Sequence, residues 1–326
     1  MMGLTHLDAY GKNDGVKVVA LADRDPDRLS GKNQAGGNID GQAEGGFDYS
    51  SVRAFTDANA LIADPDIDAV DICLPTPAHV PFGLKVLEAG KHLLIEKPLA
   101  RTSADAMRLV EAAEAADKIA MPAMCMRFWP GWTWLKRAVD DGRYGKVLSA
   151  SFHRVASHPQ GSFYADGAAN GGAALDVHIH DADFIQHLFG MPQAVTSFGY
   201  SNKTEEIDHI VTHYQTSGGG LIVAEGSWAM ADGFAFLMQY TVNFELATAS
   251  FDSACDEPLK LSRNGETDAV VLEAGMGYEH EIAYFIDCVR EKRQPKRVTM
   301  RDAAEAVRLI EAEVQSVREG RPVSLV

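Results

Sequence analysis

Residues 176–183 set two histidines, His178 and His180, among three aspartates, Asp176, Asp181 and Asp183. If the run is helical, Asp176 and His180 are i,i+4 neighbours and Asp183 follows His180 by three positions. A carboxylate beside an imidazole orients the ring and raises its pKa, which suits a general base near neutral pH. A second chemistry fits the same stretch. His178, His180, Asp176 and Asp183 offer nitrogen and oxygen ligands to a metal, as a metal-dependent hydrolase needs. On a helix His178 and His180 diverge by roughly 200°, whereas on an extended segment they share a face. Both readings stay open at this level.

The next candidate is Glu96-Lys97-Pro98, which closes the apolar run 92–95 and precedes a helix opening at Thr102 or Ser103. The run has the pattern of a short buried strand, and open α/β sheets gather ligands at the carboxyl ends of such strands. Pro98 fixes its own φ and steers Lys97 away from helical geometry, so the lysine points in one direction. Asp23 ends another apolar run, 16–22, and lies 20 residues after Gly3. A carboxylate at that place suits the ribose hydroxyls of a dinucleotide. Arg127 shares a segment with Trp129, Trp132 and Trp134. Placed between domains, such aromatic faces wall a sugar-sized pocket.

Positioning these groups falls to alternating elements. Strands are expected over 16–22, 67–74, 93–95 and 119–126, and helices over 51–63, 79–89 and 103–116, with Gly90 as a C-cap. That alternation predicts parallel βαβ units. After Arg127 the rhythm changes. A helix over 130–139, a strand over 146–156, a loop over 161–172 and a helix over 173–188 come first. Extended stretches over 194–251 then suggest an antiparallel meander, and helices over 278–291 and 301–319 close the chain. The expected fold class is α/β: a Rossmann-like parallel sheet over 1–125 and an α+β domain with a large, mainly antiparallel open sheet over 126–326. The polar, glycine-rich stretch 31–46 reads as a long flexible loop.

Composition narrows the partners. A length of 326 residues suits two domains, and a net charge of -16 argues against nucleic acid or an anionic membrane. No apolar run approaches the roughly 18 residues of a membrane span, and no secretory signal pattern opens the sequence. Cys73, Cys125, Cys255 and Cys288 include no CxxC pair, so no disulfide and a cytoplasmic enzyme are expected.

Several blocks together resemble the glucose-fructose oxidoreductase / inositol dehydrogenase / rhizopine catabolism (Gfo/Idh/MocA) family. They are 18–28, ending a strand at Asp23; 68–79, with Leu74-Pro75-Thr76-Pro77 and His79; 88–98, with Glu96-Lys97-Pro98; 171–180, with Asp176 and His180; and the closing helices. The resemblance implies an NAD-dependent oxidoreductase acting on a sugar or polyol hydroxyl, with Lys97, Asp176 and His180 as the catalytic group and no metal. By the same resemblance Gly3, Asp23, Arg24, Leu74, Pro75, Thr76, Pro77, His79, Glu96, Lys97 and Arg127 lie at the cofactor. Asp23 favours NAD, whereas Arg24 leaves NADP open. Trp129, His178 and Asp183 are expected near the substrate, and His178 stands where the family commonly has a small residue. The first strand and the first two glycines of the phosphate loop do not precede Gly3, which reads as a truncated or misassigned start and predicts a gap in the centre of the sheet. A homodimer or homotetramer through the second sheet is expected. Other outcomes of the same fold are net elimination, hydrolysis or epimerisation with a recycled cofactor, or a non-catalytic regulatory relative.

Overall fold

The computed structural model describes residues 2–32 and 47–326, so the glycine-rich stretch expected to be a loop lies outside them from residue 33 onward. Five short strands organise the first half: β1 (Ala20–Ala22), β2 (Arg53–Phe55), β3 (Ala69–Ile72), β4 (His92–Glu96) and β5 (Ala120–Ala123). All pair in parallel, but as two sheets, β1-β2 and β3-β4-β5. Strand β4 is central to its sheet, and Leu93, Leu94 and Ile95 are fully buried. Continuous apolar residues suit a strand covered on both faces.

The covering helices are α1 (Met2–Gly11), α2 (Ala58–Ala63), α3 (His79–Glu88) and α4 (Ser103–Ala115). Gly90 follows α3 at φ 69°, the left-handed region that stops a helix. Thr102 caps α4 by accepting from the Asp105 amide. Strands β1 and β3 are not bonded to each other, and a cavity of about 670 Å³ runs between them under α1 and α2. The gap expected at the centre of the sheet is therefore present.

The second half opens with α5 (Pro130–Asp140), whose proline occupies the first turn where no amide is needed. Nine strands follow in one sheet: β6 (Val147–Ser157), β7 (Ala194–Tyr200), β8 (His209–Gln215), β9 (Leu221–Met230), β10 (Leu237–Phe244), β11 (Thr248–Asp252), β12 (Leu259–Arg263), β13 (Glu266–Ala269) and β14 (Val323–Ser324). Their order is β13-β12-β11-β10-β6-β9-β8-β7-β14, with only β6 and β9 parallel. Alternation sets the faces: Ile210, Thr212 and Tyr214 of β8 are buried, and the residues between them are more exposed.

Helix α6 (Ile179–Phe189) lies on the covered face, behind a π-helical turn at Ala174–His178. A single helix is expected there from sequence, because a 3.6-residue period does not register one inserted residue. Helices α7 (Gly277–Arg290) and α8 (Met300–Glu319) then return to the first half, α7 against α1 and α8 against both α4 and α6. Thr299 and Asp302 form a reciprocal capping box at the start of α8. Among the described residues no helix is long and apolar enough to cross a membrane, and the four cysteines are free.

Candidate active site

The end of β4 delivers Lys97 to the π-helical turn. Lys97 Nζ donates to the Asp176 main-chain carbonyl at 2.6 Å and to Asp176 Oδ1 at 3.1 Å. The two side chains are 14% and 17% exposed, so the pair is shielded but reachable. His180 lies one turn further on. Its ring pKa is pushed well below the usual imidazole value by burial, and the charges of Lys97 and Arg154 add to that. The spacing predicts a carboxylate raising this pKa; instead the Asp176 carboxylate is engaged by Lys97, and burial lowers the ring's pKa. His180 Nδ1 is buried without a hydrogen-bond partner among the described residues.

Two buried ion pairs hold α6 from opposite sides. Arg154 of β6 grips Asp181 through Nε and Nη2, both at 2.9 Å. Arg127 grips Asp183 at 2.9 and 2.6 Å and also reaches Asp302 at 3.2 Å, tying the cap of α8 to the same helix. Such bidentate pairs fix direction as well as distance. Arg127 and Asp183, expected near the cofactor and the substrate, are thus paired with each other. Arg127→Ala leaves the Asp183 carboxylate buried without its cation. It is expected to cost about 3–5 kcal/mol of folding free energy, read as a lower denaturant midpoint at unchanged slope.

The other candidates sort cleanly. His178 is fully buried and faces Glu313 and Tyr214, so it neither lines the cleft nor converges with His180 on a metal. Trp132 is buried against Tyr240 and Phe251, and Trp134 stacks on Tyr144. Trp129 packs edge-on against Tyr278 of α7 and touches the Gly277 position. Trp132 is core, whereas Trp129 and Trp134 are half-buried against aromatic neighbours. His79 is also buried, with both ring nitrogens 2.7 Å from main-chain carbonyls, of Pro98 and of Leu74. It ties the β3 loop to the β4 loop and leaves Pro75 and Pro77 exposed, whereas Leu74 is half-buried at the cavity and Thr76 is buried. Arg24 is exposed, and the arginine near Asp23 is Arg28, at 3.6 Å.

Sequence reasoning missed a polar network under the cofactor-side loops. His6 Nδ1 is 2.7 Å from Asp71 Oδ2 and its Nε2 is 3.1 Å from Glu96 Oε1, while Tyr10 donates to Asp71 at 3.0 Å. Burial opposes a charge on His6, yet Asp71 and Cys73 outweigh it and hold its pKa well above the usual value. Glu96 in turn accepts the Lys97 amide at 3.0 Å, so the network reaches the lysine. Among the described residues His6, Asp71 and Cys73 alone are close enough to share an ion. Each already has a partner within the group, and burial pushes the Cys73 thiol up to about 12. Nearby, burial and the charge of Glu96 drive the Glu281 carboxyl well above its usual pKa, and neither of its oxygens has a partner among the described residues. Tyr164, in the short helix Ser162–Ala165, also has a raised pKa, from burial first and then from Asp176 and Glu96. His6 and Tyr164 belong to segments with no readable pattern of polar partners.

The cavity between β1 and β3 reaches Asp23 and Arg28 at one end and Cys73 and Leu74 at the other, with Gly3 at the head of α1 beside it. A dinucleotide fits these residues. Asp23 Oδ1 takes the Asp25 amide at 2.9 Å, and Oδ2 lies 3.6 Å from Arg28 Nη1 at the cavity edge. The start of α1 offers amides and a positive dipole to phosphate. A parallel sheet with an acid just after β1, and a lysine in contact with the aspartate of an Asp-x-x-x-His turn, are marks of an NAD-dependent oxidoreductase. The chain belongs to the Gfo/Idh/MocA family: residues 1–124 match the description "Oxidoreductase family, NAD-binding Rossmann fold" and residues 132–250 the GFO/IDH/MocA C-terminal domain.

D-apiose dehydrogenase of Paraburkholderia graminis is 27% identical over 98% of this chain and 86% of its own length. Myo-inositol 2-dehydrogenase of Thermotoga maritima is 34% identical over 42% of this chain and 41% of its own. The fold is also that of levoglucosan dehydrogenase solved with NADH and levoglucosan, at a TM-score of 0.86 and 18% identity over 100% of this chain and 96% of that one.

Proposed function

We propose that the chain moves a hydride between a hydroxyl-bearing carbon of a sugar or polyol and NAD, with Lys97, Asp176 and His180 as the catalytic group. The observation that carries this reading is the contact of Lys97 Nζ with both acceptors of Asp176, in the turn that leads into His180. Asp23, Gly3 and Leu74 would hold a dinucleotide whose nicotinamide would supply the hydride acceptor or donor. His180 takes the hydroxyl proton as the alkoxide develops, and Lys97 stabilises that oxygen by charge and hydrogen bonding. Asp176 holds Lys97 rather than His180. The names of the relatives support the substrate class, and Asp23 supports NAD over NADP, since a carboxylate repels a 2′-phosphate.

We assign cofactor binding to 1–125 and substrate binding to 126–326, in a cytoplasmic protein. On the open face of the second sheet Phe198, Tyr200 and Leu221 are 70%, 48% and 58% exposed. That face suits burial against a second copy. The test is turnover: purified protein with NAD and a panel of aldoses, anhydro sugars and inositols should produce NADH with at least one of them. An absence of any thermal shift with NAD or NADP, together with no turnover, would overturn the reading.

A further inference from the structure

We propose that His178 is a positioning residue that sets the pitch of the π-helical turn and thereby the meeting of Asp176 with Lys97. The inference rests on the reading of Lys97, Asp176 and His180 as the catalytic group. Its ground is a junction on the far side of the turn. His178 Nε2 lies 2.9 Å from Glu313 Oε2 of α8 and 3.0 Å from the Tyr214 hydroxyl of β8. Glu313 Oε2 also accepts from Thr212 at 3.1 Å, and Thr212 shares a 2.8 Å hydrogen bond with Ser197 of β7. Every one of these side chains is buried. One ring therefore fastens the turn to two strands and to the longest helix.

The opposite side of the ring is fixed by shape. A Cβ on Gly226 of β9 would stand 2.6 Å from His178 Cβ and 2.7 Å from its Nδ1, closer than any side chain tolerates. The bulk sits on the turn and the small residue, Gly226, sits on the strand behind it. The ring is thus clamped between the β9 backbone and the Glu313–Tyr214 pair, with no freedom to re-seat. Two residues earlier in the same turn, the Asp176 carbonyl and carboxylate both reach Lys97 Nζ. Their relative placement follows from the pitch of the turn, and π-turns occur most often where function needs such an offset.

The experiment compares His178→Phe, which keeps the ring volume and loses the hydrogen bonds, with His178→Gln, which returns a donor, and with Gly226→Ala, which pushes on the ring from behind. His178→Phe and Gly226→Ala are expected to lower kcat by about 10²-fold, the cost of a misplacement near 1 Å. KM for NAD and for the substrate should change less than threefold, and His178→Gln should recover most of the rate. Wild-type kcat in His178→Phe, or a rise in KM at unchanged kcat, would overturn the proposal; so would a loss that His178→Gln fails to relieve. If His178→Phe does not fold, Gly226→Ala carries the same kcat and KM comparison. Lys97→Ala measured alongside separates the two claims: full activity in that variant overturns the catalytic assignment, whatever His178 does.

Discussion

Lys97→Ala is expected to lower kcat for sugar or polyol oxidation by about 10³-fold, the upper range for removing one group that stabilises a developing oxyanion, with NAD affinity changed only a few-fold. The lysine follows β4, whose Leu93, Leu94 and Ile95 are fully buried, and Pro98 follows it directly. Its ammonium is held between two acceptors of Asp176, so it is already oriented before substrate arrives. Lys97→Arg should rescue little, because a planar fork does not replace a point charge that must meet one oxygen. Steady-state kinetics with NAD titration checks both parts. A Lys97→Ala variant with near-normal kcat and a large loss of NAD affinity would make the lysine a cofactor clamp.

His180→Asn is expected to lower kcat/KM by about 10²- to 10⁴-fold, the usual worth of a positioned general base. The pH profile carries the sharper information. A base works in its deprotonated form, and burial with two neighbouring cations holds the His180 pKa well below 6.5. The acidic limb of kcat/KM for oxidation should therefore fall below the ordinary imidazole range, leaving activity nearly flat as pH drops from 8 through 6.5. Removing the cation of Lys97 should move that limb upward, towards neutral pH. A wild-type limb centred at or above 6.5 would show that another group limits the rate.

Much of this fold is legible in the sequence because local signals agree with burial. Gly90 stops α3, Thr102 starts α4, and the run before Glu96 is apolar without interruption. The lysine and the Asp-x-x-x-His pair are legible as types, and the structure brings Lys97 into contact with Asp176. What is not legible is who partners whom. Arg127 and Asp183 look like ligand-binding charges until the chain folds them, 56 positions apart, onto each other. His178 looks available because nothing local announces Glu313, and His6 looks idle because Asp71 and Glu96 arrive from distant strands. The π-helical turn is invisible for a different reason: it differs from an α-turn by a register shift, not by composition.

The parting of the parallel strands into two sheets has a consequence for opening motions. No ladder of hydrogen bonds joins β1 to β3, so the unit formed by β1 and β2 can open without breaking the sheet that carries Lys97. Such a unit belongs at the low end of the local stability range. A dinucleotide touching Asp23 on one side and the Leu74 loop on the other would bridge the two, adding about 2.7 kcal/mol to the closed state at a hundredfold excess over its Kd. Amide exchange at residues 20–22 and 53–55 should therefore slow on adding NAD, while exchange in β4 stays unchanged.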